Sequence, residues 1–144
     1  MQPLSKNITL ISFGYSFGQP KYADLIIDAR NFMCAGKELR KKYTGLSKAY
    51  QDGMYHMDIF VSMYDSLKQQ IETFIALSNR SDIAIAIGCH RGRHRSVAIV
   101  EKLKIDLVDR NITTQHTNIN KKYSDKKQEF STKRDIKYEI LFDD

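Results

Sequence analysis

The sequence predicts a single α/β domain with a mainly parallel sheet flanked by helices. Three observations carry this. Short apolar runs of strand length stand at 7–13, 24–28 and 82–88. Helix-period segments stand at 54–77 and 96–110. The two kinds alternate along the chain, as they do where helices cross over between parallel strands. The 144 residues suit one domain, and 42% hydrophobic content is enough for a core.

The first run, Asn7-Ile8-Thr9-Leu10-Ile11-Ser12-Phe13, is rich in β-branched residues and reads as a strand. Gly14, Gly18 and Pro20 then punctuate a loop. Residues 24–28 form a short buried strand that ends on the carboxylate of Asp28. Residues 29–53 read as mostly irregular, with a basic stretch Arg40-Lys41-Lys42 and a turn at Thr44-Gly45. In 54–77, Met57, Phe60, Tyr64, Leu67, Ile71, Phe74 and Ile75 recur at helical spacing, a stripe that covers the sheet. His56 opens that helix in a structural place. Residues 82–88, Asp-Ile-Ala-Ile-Ala-Ile-Gly, are apolar enough to be buried on both faces. Val97, Val100, Leu103 and Leu107 set a second helix over 96–110, and 111–118 reads as a further strand. Residues 1–120 make up the α/β unit. Residues 121–144 add a charged loop over 121–135 and an edge strand over 136–142 of the same domain.

Composition narrows the function. Twenty-three basic against 17 acidic residues give a net charge of +6, which favours nucleic acid, nucleotides or phosphorylated metabolites as partners. Cys34 and Cys89 are the only cysteines, too few for a disulfide scaffold or a thiolate-rich zinc site, and they suit a reducing cytoplasm. No apolar run reaches the length of about 18 residues that a membrane helix needs, and the first residues lack a signal-peptide core. Metal-binding motifs are absent from the sequence, and no cofactor is expected. Trp is absent while Lys, Ile, Asn and Tyr are plentiful, as in an AT-rich coding genome such as that of some bacteria or their phages.

The segment with chemistry is Gly88-Cys89-His90-Arg91-Gly92-Arg93-His94-Arg95-Ser96, between a buried strand and a helix. Ligands of parallel sheets bind beyond the carboxyl ends of the strands. A loop that feeds a helix N-terminus presents backbone N–H groups and the positive end of the helix dipole. Arg91, Arg93 and Arg95 add guanidinium forks that match phosphate oxygens. Position, glycine and arginine agree on phosphate binding.

The same loop has the form Cys-x5-Arg-Ser, similar to the signature loop of cysteine-dependent phosphatases. That resemblance would make Cys89 the nucleophile and Arg95 the phosphoryl grip. A general acid is missing, however. Asp58 and Asp65 fall on the predicted long helix. Asp28 beside three arginines would hold its proton too weakly and would rather orient a guanidinium.

Taken together, several ordered segments resemble the C-terminal domain of the RapZ (YvcJ) family of RNase adapter proteins. These are Ser12-Phe13-Gly14-Tyr15 with Gly18 and Pro20, Ala23-Asp24, Asp28-Ala29-Arg30, Leu39-Arg40 and Thr44-Gly45-Leu46. The most specific is Ala86-Ile87-Gly88-Cys89 through Gly92 to His94-Arg95-Ser96-Val97. The resemblance implies an α/β domain that senses a phosphorylated amino sugar, glucosamine-6-phosphate, and contacts structured RNA and ribonuclease E. Family members normally carry an N-terminal P-loop domain. The present sequence has no Gly-x4-Gly-Lys-Ser/Thr segment, so it reads as a free-standing C-terminal module and ATP-linked activity is not carried over.

Two departures from the family pattern stand out. His90 and Arg91 replace a Thr and a Gly of the family loop, and Phe32-Met33-Cys34-Ala35-Gly36 replaces its Asn-Pro-His stretch. The phosphate half of the site is kept while the sugar half is rebuilt, which favours a more highly charged ligand such as a nucleotide. His116 matches a family histidine after the last helix.

The expected ligand-binding residues are therefore Cys89, His90, Arg91, Gly92, Arg93, His94, Arg95 and Ser96, with Asp28, Arg30, Thr44 and His116 around them. The leading function is non-enzymatic binding of a phosphorylated small molecule for sensing or sequestration, in a phage copy by capture of a host nucleotide signal. A Cys89-dependent phosphatase and an RNA-binding adaptor are the alternatives. A host protein or a second copy of the chain are further partners the sequence leaves open, and a membrane is not among them.

Overall fold

A computed structural model describes residues 6–108 and 110–122. The elements are β1 (Asn7–Gly14), a single 3-10 turn (Tyr15–Phe17), β2 (Leu25–Asp28), α1 (Lys37–Lys42), α2 (Lys48–Tyr55), α3 (Asp58–Leu77), β3 (Asp82–Cys89), α4 (Arg95–Asp106) and β4 (Asn111–His116). The strands form one sheet in the order β2-β3-β1-β4, and every pairing is parallel. β1 and β3 run side by side from Asn7 against Asp82 to Gly14 against Cys89. Both central strands therefore end at the same edge of the sheet, next to Asp28 at the end of β2.

Strand alternation divides the two faces. Ile8 and Leu10 of β1, Ile27 of β2 and Ile83, Ile85 and Ile87 of β3 share one core cluster with the helices. α3 contributes Phe60, Tyr64, Leu67, Ile71 and Ile75, and α4 contributes Ala98, Ile99, Val100 and Leu103. Each such large aliphatic or aromatic side chain is worth about 1.5–3 kcal/mol when fully removed from water, as an upper bound. On the opposite face Ile11, Phe13 and Ala86 pack with Tyr15, Ala23 and Ala84. The Lys6 ammonium donates to the carbonyls of Ile75 and Ser78, a cation at the negative end of α3.

The strands fall where their apolar runs place them, although β4 ends at His116 rather than at 118. Three expectations are refined. Residues 29–53, read as mostly irregular, also hold α1 and most of α2. Ser47 caps α2 with its side chain, which accepts the N–H of Ala49, and Tyr50 and Met54 are buried. The helix expected over 54–77 starts at Asp58, because Met57 is extended at φ −74°, ψ 129°. His56 thus ends α2 instead of opening α3. Met54 and Met57 keep helical spacing across the break, so periodicity alone cannot see it. The helix expected over 96–110 spans Arg95–Asp106. The charged segment from 123 onward and the edge strand expected over 136–142 lie outside the described residues.

Candidate functional site

The β3–α4 connection leaves the sheet edge at Cys89, and close approaches at glycines fix its path. A Cβ on Gly88 would lie 2.4 Å from the Phe13 ring, and one on Gly14 would lie 2.3 Å from the carbonyl carbon of Arg91. Gly92 has φ +72°, a left-handed conformation that favours glycine, and its backbone also touches Gly14. A Cβ on Gly45 would lie 2.3 Å from the His94 carbonyl oxygen, so the Thr44-Gly45 turn seats directly on the start of α4.

The loop carbonyls are tied to its surroundings. The His90 carbonyl accepts from Ser16 N–H at 3.0 Å, that of Arg93 from Gly45 N–H at 3.0 Å and that of His94 from Ala98 N–H at 2.9 Å. These peptides are trans, so each carbonyl points opposite to the N–H of the next residue. The N–H groups of Arg91, His94 and Arg95 therefore point away from those donors, at the positive end of α4.

Each expected site residue has a definite place. Cys89 is fully buried; its Sγ lies 3.0 Å from Ser96 Oγ, and the Ser96 N–H reaches Sγ at 3.4 Å. Arg95, 2% exposed, turns inward and donates from Nη1 to the carbonyls of Arg30 at 2.7 Å and Phe32 at 3.0 Å. His94 is buried, with Nε2 2.6 Å from the Tyr43 carbonyl and its ring against Tyr50. His90 is buried as well, while Arg91 and Arg93 are half-buried. Thr44 Oγ1 accepts from Leu46 N–H at 3.2 Å.

Beside the loop, Asp28 and Arg30 form a two-pronged ion pair, closest at 2.8 Å, and the Arg30 guanidinium lies 4.0 Å over the Tyr15 ring. Hydrogen bonds from Arg30 hold the Asp28 carboxyl below its ordinary range, and the charges of Arg30 and His90 act in the same direction. The pair is thus an orienting device for a guanidinium.

The structure gathers residues 89–96 with Asp28, Arg30 and Thr44 at one end of the sheet. His116 is placed differently: its Nδ1 is 2.7 Å from Ser12 Oγ and its Nε2 is 2.9 Å from Glu101, which ties β4 to β1 and α4. Asp65 lines a groove of about 420 Å³ between α3 and α4, with Tyr55, Tyr64 and Lys102. Among the described residues, no group of three or more His, Cys, Asp or Glu could hold a metal ion, and no helix is long and apolar enough to cross a membrane.

Sequence reasoning passed over Tyr15, which supports Arg30, and Asn118, whose Oδ1 accepts the Gly14 N–H at 2.8 Å. Tyr15 carried a usable signal, because it closes the Ser12-Phe13-Gly14-Tyr15 segment. A lone asparagine after a strand carried none.

The model of the RapZ C-terminal domain matches residues 6–120, from the start of β1 through Asn118. The chain belongs to the RapZ C-terminal domain family. Among curated relatives, a protein of Heliobacterium modesticaldum is 32% identical over 120 residues, covering 79% of this chain and 40% of that protein. One of Carboxydothermus hydrogenoformans is 34% identical over 122 residues, 80% of this chain and 42% of the relative. One of Neisseria gonorrhoeae is 36% identical over 101 residues, 67% of this chain and 35% of the relative. All three carry the name nucleotide-binding protein. The RapZ C-terminal-like chain spans about two fifths of the length of these relatives.

Proposed function

We propose that this RapZ C-terminal domain binds a phosphorylated small molecule, of the nucleotide or sugar-phosphate class, at the loop from Cys89 to Ser96. The observation that carries the reading is that the loop carbonyls of His90, Arg93 and His94 are tied to the N–H groups of Ser16, Gly45 and Ala98, which turns the opposite faces of those peptides, the N–H faces, the other way before α4. Oriented amides at a helix N-terminus are a phosphate cradle. Arg91 and Arg93, both half-buried, supply charge-assisted hydrogen bonds. Arg95 turns inward and its hydrogen bonds to the carbonyls of Arg30 and Phe32 fix the segment after β2, a positioning part in place of a direct grip. Arg30, oriented by Asp28 and Tyr15, takes the remainder of the ligand or a second phosphate, with Thr44 at the other side. The relatives are named nucleotide-binding proteins and this chain spans about two fifths of their length, so nucleotides stand beside sugar phosphates in the test below. The module senses or sequesters its ligand, and the full burial of the Cys89 thiol is the observation set against its attacking a phosphoryl group.

A thermal-shift panel tests this with inorganic phosphate, glucosamine-6-phosphate and nucleoside mono-, di- and cyclic phosphates. A ligand at a hundred times its Kd adds about 2.7 kcal/mol of stability. A compound-specific shift in the wild type that is lost in the Arg91→Ala, Arg93→Ala double variant supports the proposal. The absence of a shift with every compound would overturn it.

A further inference from the structure

We infer that Asn118 is a positioning residue for the phosphate loop, acting through Gly14. The paired register of β1 with β4 ends at Ser12 against His116, and the Thr117 N–H still reaches the Ser12 carbonyl at 3.0 Å. One step further the main-chain ladder stops. There the Asn118 side chain takes the place of the next main-chain acceptor: Oδ1 receives the Gly14 N–H at 2.8 Å, in a buried setting.

Gly14 is the residue whose backbone lies against Arg91 and Gly92. A Cβ on Gly92 would also lie 3.1 Å from the Asn118 Cβ, so Asn118 packs on the left-handed point of the loop as well as holding Gly14. The residue is itself held from both directions. His116 is bound by Ser12 and Glu101, and the Asn118 carbonyl accepts from the Lys121 N–H. Three chain segments thus meet at one amide side chain. A buried N–H needs an acceptor at this distance and height, which Asn or Asp can supply and Ala cannot. Loss of that acceptor frees the end of β1 and with it the surface on which Arg91 and Gly92 rest.

The ligand part of this inference rests on the phosphate-loop proposal, and the experiment separates the two. Amide hydrogen exchange is followed by NMR in ligand-free wild type, Asn118→Ala and Asn118→Asp, and each protein is then titrated with inorganic phosphate. In Asn118→Ala, exchange at Gly14 and across 90–95 quickens about tenfold, the loss of one buried hydrogen bond, while α3 amides keep their rates. Phosphate affinity falls with it. Asn118→Asp keeps the acceptor and restores slow exchange at Gly14. Wild-type exchange in the loop of Asn118→Ala, a uniform change that includes α3, or failure of Asn118→Asp to restore protection would each overturn the inference. If the wild type binds no phosphate, the proposed function fails, and the exchange data still decide the role of Asn118.

Discussion

Gly92 and Gly14 are in main-chain contact: a Cβ built on Gly92 would lie 2.5 Å from the Gly14 nitrogen. The loop after β3 therefore rests on the end of β1, and no side chain separates them. Gly92→Ala meets this contact and a φ of +72° together. It should lose about 1–3 kcal/mol of stability, read by denaturant unfolding, and should weaken phosphate binding as the loop is pushed off β1. Wild-type stability in this variant would show that the contact is easily relieved.

The strands were legible because β-branched runs such as Asp82-Ile-Ala-Ile-Ala-Ile have little other use, and the loop was legible because glycine and arginine cluster between a strand and a helix. α1 and α2 were hidden because they are short, six and eight residues, and because Gly53 inside α2 is a poor helix former. Gly53 is present for packing, since a Cβ there would lie 2.6 Å from Leu39 Cδ1. The inward turn of Arg95 could not be read either. Its acceptors, the carbonyls of Arg30 and Phe32, lie more than sixty residues earlier in the chain. The partners of His116 on β1 and α4 are equally products of tertiary packing.

Arg95→Ala removes a buried guanidinium that satisfies two carbonyls. Hydrogen bonds from a charged donor are worth about 1.5–3 kcal/mol each, so a loss of about 3 kcal/mol in urea unfolding is expected. Arg95→Lys keeps the charge but lacks the planar fork and should recover part of that loss. A change under about 0.5 kcal/mol, typical of surface sites, would mean that the guanidinium is not anchored as described.

The Asp28–Arg30 pair should give stability a pH dependence. Arg30 lowers the folded carboxyl below its ordinary value of 3.8, so its contribution is full above that value and disappears as pH falls through the lower folded value. The difference in Tm between wild type and Asp28→Asn should therefore be constant near neutrality and shrink below about pH 4. Asp28 is 44% exposed, so water and salt screen the pair and the difference should be small. A difference that grows on acidification contradicts the assignment.

Cys89 should behave as a core thiol. It is buried, whereas Cys34 is partly exposed. In native protein a chromogenic aromatic disulfide should react rapidly at Cys34, and at Cys89 only after denaturant is added. Cys89→Ala should retain ligand binding, and neither protein should hydrolyse an aryl phosphate. Rapid native reaction at Cys89 together with Cys89-dependent turnover would instead favour the phosphatase reading.

If the loop between β3 and α4 holds a phosphate, its main-chain amides will report it. The most direct measurement is an amide chemical-shift titration of the wild type with inorganic phosphate at constant ionic strength. Saturable shifts should be largest at Arg91–Arg95 and extend to Gly14. Shifts confined to the basic stretch Arg40-Lys41-Lys42 or to Lys121 and Lys122, or no saturable shift at all, would contradict it.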